Sequence, residues 1–208
     1  MLLSSMNFKE IWNEINIDLN NVNTKFEYLL MSGRRKCIKS KNKHYKDVIS
    51  YKSPRNNKWL IFIDVYKKVW YKETLIYYEN EDGINAILVN NDRQLMHVSA
   101  HFLKRYKERF LHQENIQTIE LIKKYFSENI EITMENNLES INEEKTDKFF
   151  LINEGIALGE IEVFNGCQIF YLKTFITPDM LFDDQYKIYN PLVEYSQTHE
   201  MVNLKNVA

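Results

Sequence analysis

The sequence predicts an α+β protein, with one or two antiparallel sheets flanked by helices. Three observations carry the prediction. Apolar residues recur at helical spacing in residues 7–31 and again in residues 101–126. Residues 47–90 are instead dense in Ile, Val, Tyr, Phe and Trp, which suit a pleated surface. Asn165-Gly166, a strong two-residue hairpin signal, joins two further runs of that kind. The expected order is N-terminal helices, a β-meander, a helical pair and a second antiparallel sheet.

Asn7 can cap a first helix over 7–20, where Phe8, Ile11, Trp12, Ile15 and Leu19 keep helical spacing. A second helical piece, 24–31, carries Phe26, Leu29 and Leu30. Ser32-Gly33 is expected to stop it, because glycine accepts the left-handed conformation of a helix C-terminus. The next thirteen residues, Arg34 to Lys46, hold seven Lys or Arg and read as a solvated loop or an edge segment kept soluble by charge. Strands are expected at 47–51, 59–65, 69–78, 84–89 and 95–98, separated by turns at Ser53 to Asn57, Glu81 to Gly83 and Asn90 to Arg93.

Ser99 is the expected N-cap of a helix that runs to His112, and a second helix follows over 116–128. Residues 129–147 are acidic and polar, with a short strand expected at 130–134 and a loop at 142–147. Strands 148–152, 156–164 and 167–176 complete the sheet. Thr177-Pro178-Asp179 then reads as a helix start, continued by Met180, Leu181 and Phe182. A terminal helix over 192–201 is expected in the polar tail. These elements group as a helical lead-in plus meander (1–96), a helix-pair and sheet domain (97–190) and a tail (191–208).

Composition excludes several classes. With 44% hydrophobic and 13% aromatic residues, but only 5 Gly and 3 Pro, the chain is neither disordered nor collagen-like. Its two cysteines, Cys37 and Cys167, are too few for a disulfide framework and lack metal-ligand spacing. Met1 to Met6 is too short and uncharged for a signal peptide, and no apolar run reaches the ~18 residues of a membrane helix. The expectation is a cytoplasmic protein without a membrane partner.

The net charge of −2 conceals an asymmetry. Residues 1–112 hold 20 Lys/Arg against 12 Asp/Glu, whereas residues 113–208 hold 7 against 17. Such halves either neutralise each other or leave the basic one for nucleic acid. In the basic run, Arg34, Arg35, Lys36, Lys39, Lys41 and Lys43 can neutralise phosphates and release counterions, as can Lys104 further on.

Residues 97–112 hold three of the five histidines. At ~100° per residue, His101, Arg105, Glu108, Arg109 and His112 share one helix face, opposite Phe102, Leu103, Tyr106 and Phe110. If Ser99 caps the helix, His101 stands at its second position, where the positive helix end disfavours imidazolium. RNA cleavage through the 2′-hydroxyl needs a base, an acid and cations for the phosphorus oxygens, and no metal. His101 can supply the proton transfer. Arg105 and Arg109 offer forked donors suited to phosphate, and Glu108 can orient His101 or Arg105 or act as base. The competing assignment pairs both arginines with Glu108 or with C-terminal acids.

The run His101-x-x-x-Arg105-Tyr106-x-x-Arg109 resembles the helix-borne His and Arg pattern of the barnase/RelE-type ribonuclease toxins. The order of motif helix, second helix and antiparallel sheet is also similar, with a late strand ending in Thr, here Lys173 to Thr177. The resemblance covers about residues 97–177. It implies a metal-independent endoribonuclease with His101, Arg105 and Arg109 in its site, and a hydroxyl from Thr174 or Thr177. The chain departs from that pattern in its insertion at 129–147 and in its large β-rich N-terminal part.

Other chemistries are less well served. His97 and His101 have the four-residue spacing of a zinc helix, but Val98 stands where a His-Glu-x-x-His motif needs Glu, and a Ser99 cap puts His97 off the helix. Cys37 lies in an electropositive run without an acid–base partner nearby in sequence. Glu160 and Glu162 alternate on a strand as a solvated face would. No glycine-rich phosphate loop or nucleophile elbow is present. The sequence therefore leads to an RNA-directed nuclease-like domain that needs neither metal nor cofactor, with RNA, a protein partner or an inhibitor as its expected contacts. The alternative is a non-catalytic binding module that contacts nucleic acid through its basic segment.

Overall fold

A computed structural model describes residues 1–91, 93–113, 115–128, 133–134, 148–152, 155–183, 185–187 and 189–194. The fold is α+β, as expected. The chain divides into two compact units, Met1–His97 with Val163–Ile169, and Val98–Glu162 with Phe170–Ala208.

The first unit begins with helix α1, Phe8–Lys39. Asn7 caps it: its side chain accepts from the Glu10 N–H at 3.0 Å while the Glu10 carboxylate accepts from the Asn7 N–H at 2.8 Å. The expected break after residue 20 and the expected stop at Gly33 are both absent. One 32-residue helix runs through them. The reason is tertiary. Phe8, Ile11, Ile15, Val22, Phe26, Leu30 and Cys37 form one buried stripe along the whole helix. Gly33 belongs to that stripe, and a Cβ there would come within 3.0 Å of the Tyr45 ring. This glycine admits a neighbouring side chain and does not end the helix. The basic run is consequently helix to Lys39, where a loop or edge segment is expected, and an edge strand from His44, where the edge reading holds.

Five strands follow: β1 His44–Lys52, β2 Lys58–Tyr66, β3 Val69–Asn80, β4 Gly83–Asn91 and β5 Gln94–Val98. The pairs β1–β2, β2–β3 and β3–β4 are antiparallel. Register assigns the faces. Tyr45, Trp59, Val65 and Lys72 meet α1. Alternation therefore turns His44, Asp64, Tyr66 and Tyr71 to the other face. In the same unit the Gln168 N–H donates to the Arg93 carbonyl at 2.7 Å.

A buried polar network ties α1 to the turn between β1 and β2. Asp18 is fully buried and accepts from Asn57 Nδ2 at 2.9 Å and Trp59 Nε1 at 2.8 Å. Glu14 accepts from Arg55 at 2.6 Å and from Asn57 at 3.0 Å. The hydrogen bond from Arg55, then those from the N-terminal ammonium and Asn57 and the ammonium's charge, outweigh burial and hold the Glu14 carboxyl at about 2.

The second unit holds helix α2 (Ala100–Tyr106), a π-helical turn (Lys107–Leu111), helix α3 (Thr118–Glu128), strands β6 Thr133–Met134 and β7 Lys148–Ile152, and the greater part of β8 Gly155–Phe164 and β9 Cys167–Ile176, whose hairpin end at Val163–Ile169 belongs to the first unit. Its strand order is β9-β8-β7-β6, antiparallel where β6–β7 and β7–β8 pair. The aromatic core joins Phe102, Tyr106 and Tyr125 to Phe175, with Tyr106 5.1 Å from Tyr125 and 5.3 Å from Phe175.

The helix expected after Thr177 is a single 3-10 turn, Pro178–Met180, and Thr177 makes no side-chain cap. Leu181 turns extended instead, because it is buried with Ile156 and Ile176. Of the strand expected at 130–134, residues 130–132 lie outside the described residues, as do the loop at 142–147 and residues 195–201 of the terminal helix.

Candidate functional site

The motif helix is built onto β9 from its first residue. Ser99 caps α2 as expected, accepting from the Phe102 N–H at 3.0 Å. The Ser99 hydroxyl donates to the Lys173 carbonyl at 3.0 Å, and its N–H donates to the Leu172 carbonyl at 3.1 Å. Phe102, Leu103 and Tyr106 are buried, and His101, at the second helical position, is exposed.

Beyond Tyr106 the helix departs from the expected α geometry. Lys107–Leu111 is a π turn, with hydrogen bonds spanning five residues rather than four. His112 then takes a left-handed φ of 52° and ends the helix. The turn holds an extra residue, so the single α-helical face drawn through Arg105, Arg109 and His112 does not persist.

The two arginines have local partners. Arg105 Nη1 donates to the Glu108 carboxylate at 2.9 Å, on the same helix. Its Nε is buried and has no hydrogen-bond partner among the described residues. Arg109 donates to the backbone carbonyl of Phe175 in β9. Thr174 is half-buried in that strand, whereas Lys104 is exposed. A cleft of about 370 Å³ opens beside the π turn, and its lining among the described residues is Lys107, Glu108, His112 and Gln113. Of the sequence-derived catalytic candidates, Glu108 lines it. Glu160, expected on a solvated face, is half-buried, and its carboxylate accepts from Lys173 at 2.6 Å.

A second cluster lies in the first unit. Arg34, Arg35, Lys36, Lys39, Lys41 and Lys43 are all exposed, as expected of phosphate-contacting groups. Two further exposed lysines join them. Lys67 and Lys68 form the β2–β3 turn, and the Lys67 N–H donates to the Lys43 carbonyl at 2.9 Å. The C-terminus of α1, the start of β1 and this turn therefore meet at one end of the unit. Residues 34–68 hold 12 Lys/Arg and 2 Asp/Glu.

Lys67 and Lys68 were missed in the sequence because a Lys-Lys turn lacks the Asn-Gly signature. Two apolar β-runs separated by a short basic pair were the available signal. Cys37 is buried, its thiol donating to the Lys43 carbonyl at 2.9 Å, so it packs beneath this end and does not face a ligand.

His97 lies in β5, buried, with its Nε2 2.9 Å from Tyr78 Oη. Burial pulls its imidazole from an ordinary 6.5 to about 4. The unfolded chain therefore binds this proton more readily, and stability falls as pH drops from about 6.5 towards 4. The expected loss is about 3 kcal/mol. Urea midpoints across that range check it; a wild-type profile no steeper than that of His97→Gln would contradict it.

Among the described residues, no group of three or more His, Cys, Asp or Glu could hold a metal ion, and no helix is long and apolar enough to cross a membrane. No family model, curated protein or solved structure matches this chain.

Proposed function

We propose that this protein binds nucleic acid electrostatically through the basic end of its first unit. The observation that carries the reading is the convergence of the α1 C-terminus, the start of β1 and the Lys67-Lys68 turn, drawn from a stretch with 12 Lys/Arg and 2 Asp/Glu. Dense, exposed cationic side chains displace counterions from phosphates, giving affinity that is independent of sequence and steeply dependent on salt.

A second reading, metal-independent RNA cleavage at α2, is favoured by one specific arrangement. The exposed His101 stands on a helix start pinned to β9, one turn before Arg105. The ribonuclease-toxin resemblance belongs to this reading. It ranks second because Glu108 already holds Arg105 and the Phe175 carbonyl already engages Arg109.

One experiment tests both. Labelled single-stranded RNA is titrated with the protein in EDTA over a salt series. The triple variant Lys39→Glu, Lys41→Glu, Lys68→Glu is expected to bind at least tenfold more weakly, with a log–log salt slope shallower by about 2. Unchanged affinity and slope would remove the binding reading. On a gel of the same mixtures, cleavage that falls about 100-fold in His101→Ala supports the second reading. Absence of cleavage, or cleavage indifferent to both His101→Ala and Arg105→Ala, removes it.

A further inference from the structure

The basic end carries an exposed aromatic surface that its charge does not explain. Tyr66 is 46% exposed and Tyr71 65% exposed. Both lie on the sheet face away from α1. There the cross-strand rows are His44–Tyr66–Val69 and Lys46–Asp64–Tyr71. Trp70 belongs to the opposite face, 5.4 Å from the Phe26 ring, and is excluded. Lys67 lies 4.9 Å over the Tyr66 ring, joining the cationic turn to the aromatic surface.

Two tyrosines left to water on a sheet face, beside lysines, match the needs of an unpaired strand. Its phosphates require cations, and its splayed bases require flat surfaces on which to stack. A duplex keeps its bases stacked internally and has no use for the rings. Two acids stand near the tyrosines on this face. Asp64 lies 2.8 Å from His44 Nε2, which offsets its charge when the imidazole is protonated. Glu73 is one row further, and burial, against the opposing pull of Lys72, raises its carboxyl to about 7.

We infer that the basic end prefers single-stranded nucleic acid, with Tyr66 and Tyr71 as the stacking platform for its bases. The inference rests on the binding reading above and names its ligand class. It is tested with a labelled RNA strand and the same strand annealed to its complement, titrated by fluorescence anisotropy. Tyr71→Ala and Tyr66→Ala are each expected to weaken single-strand binding about tenfold. Tyr71→Phe, which keeps the ring, should stay within about twofold of wild type, and duplex binding should not change. If both alanine variants bind the single strand like wild type while the triple lysine variant loses it, the stacking inference fails and the basic-end reading stands. If the triple lysine variant also binds like wild type, both fail.

Discussion

Asp18→Ala is expected to destabilise the protein by about 3–5 kcal/mol. The carboxylate is fully buried and accepts from Trp59 Nε1 and Asn57 Nδ2. Removing it leaves Trp59 Nε1 buried without its acceptor and one Asn57 amide hydrogen unpaired, the other still donating to Glu14, each loss costing about 1–3 kcal/mol in addition to the cavity. Trp59 is itself fully buried, so water cannot replace the carboxylate without opening the packing of α1 on the sheet. Burial alone would raise the Asp18 carboxyl, but hydrogen bonds from Ser53, Asn57, Trp59 and Asn21 outweigh it and hold the group below the usual carboxylate range. Its contribution is therefore full above the ordinary value of 3.8 and is lost as pH falls below that. Urea denaturation followed by tryptophan fluorescence measures the loss. A cost under about 1 kcal/mol would show that the network does not anchor the helix.

Gly159→Ala is expected to disrupt the second unit's sheet at a cost above about 4 kcal/mol. A Cβ at Gly159 would stand 1.8 Å from the Tyr171 carbonyl oxygen. That oxygen belongs to the neighbouring strand backbone, which cannot retreat without giving up the pairing of β8 with β9. Gly166→Ala is the informative contrast. Nothing lies within 4 Å of a Cβ there, but φ is +76°, so only backbone strain of about 1–2 kcal/mol is expected. Thermal unfolding of the two variants should separate them widely. Equal shifts would mean that the β8–β9 contact is softer than its geometry implies.

Local chemistry made much of the fold legible. Asn7 and Ser99 cap the helices they were expected to cap, and the β-dense runs became strands. The misreadings share a cause. Asn20, Asn21, Asn23 and Thr24 are poor helix formers, yet α1 continues through them because Val22 and Phe26 are buried on the sheet. Gly33 reads as a stop until Tyr45 is seen beneath it. Leu181 leaves the Thr177 turn for an apolar cluster that includes Ile156, far away in sequence. At the candidate site, the Ser99 cap and the exposed His101 followed from sequence. The engagement of Arg109 did not, since its acceptor is 66 residues downstream on a backbone carbonyl that no side-chain pattern announces. The π turn was hidden likewise, because an extra residue per turn leaves no trace in a 3.6-residue periodicity.

The network that joins α1 to the β1–β2 turn also bears on the order in which the first unit assembles. Its links connect residues 39 to 43 positions apart. Closing a loop of that size costs about 3 kcal/mol of chain entropy before any contact returns it. The β1–β2 hairpin closes over a far shorter span. Docking of α1 is therefore expected to follow hairpin closure, and substitutions at Glu14 and Asp18 are expected to raise the unfolding rate more than they lower the folding rate in a denaturant chevron.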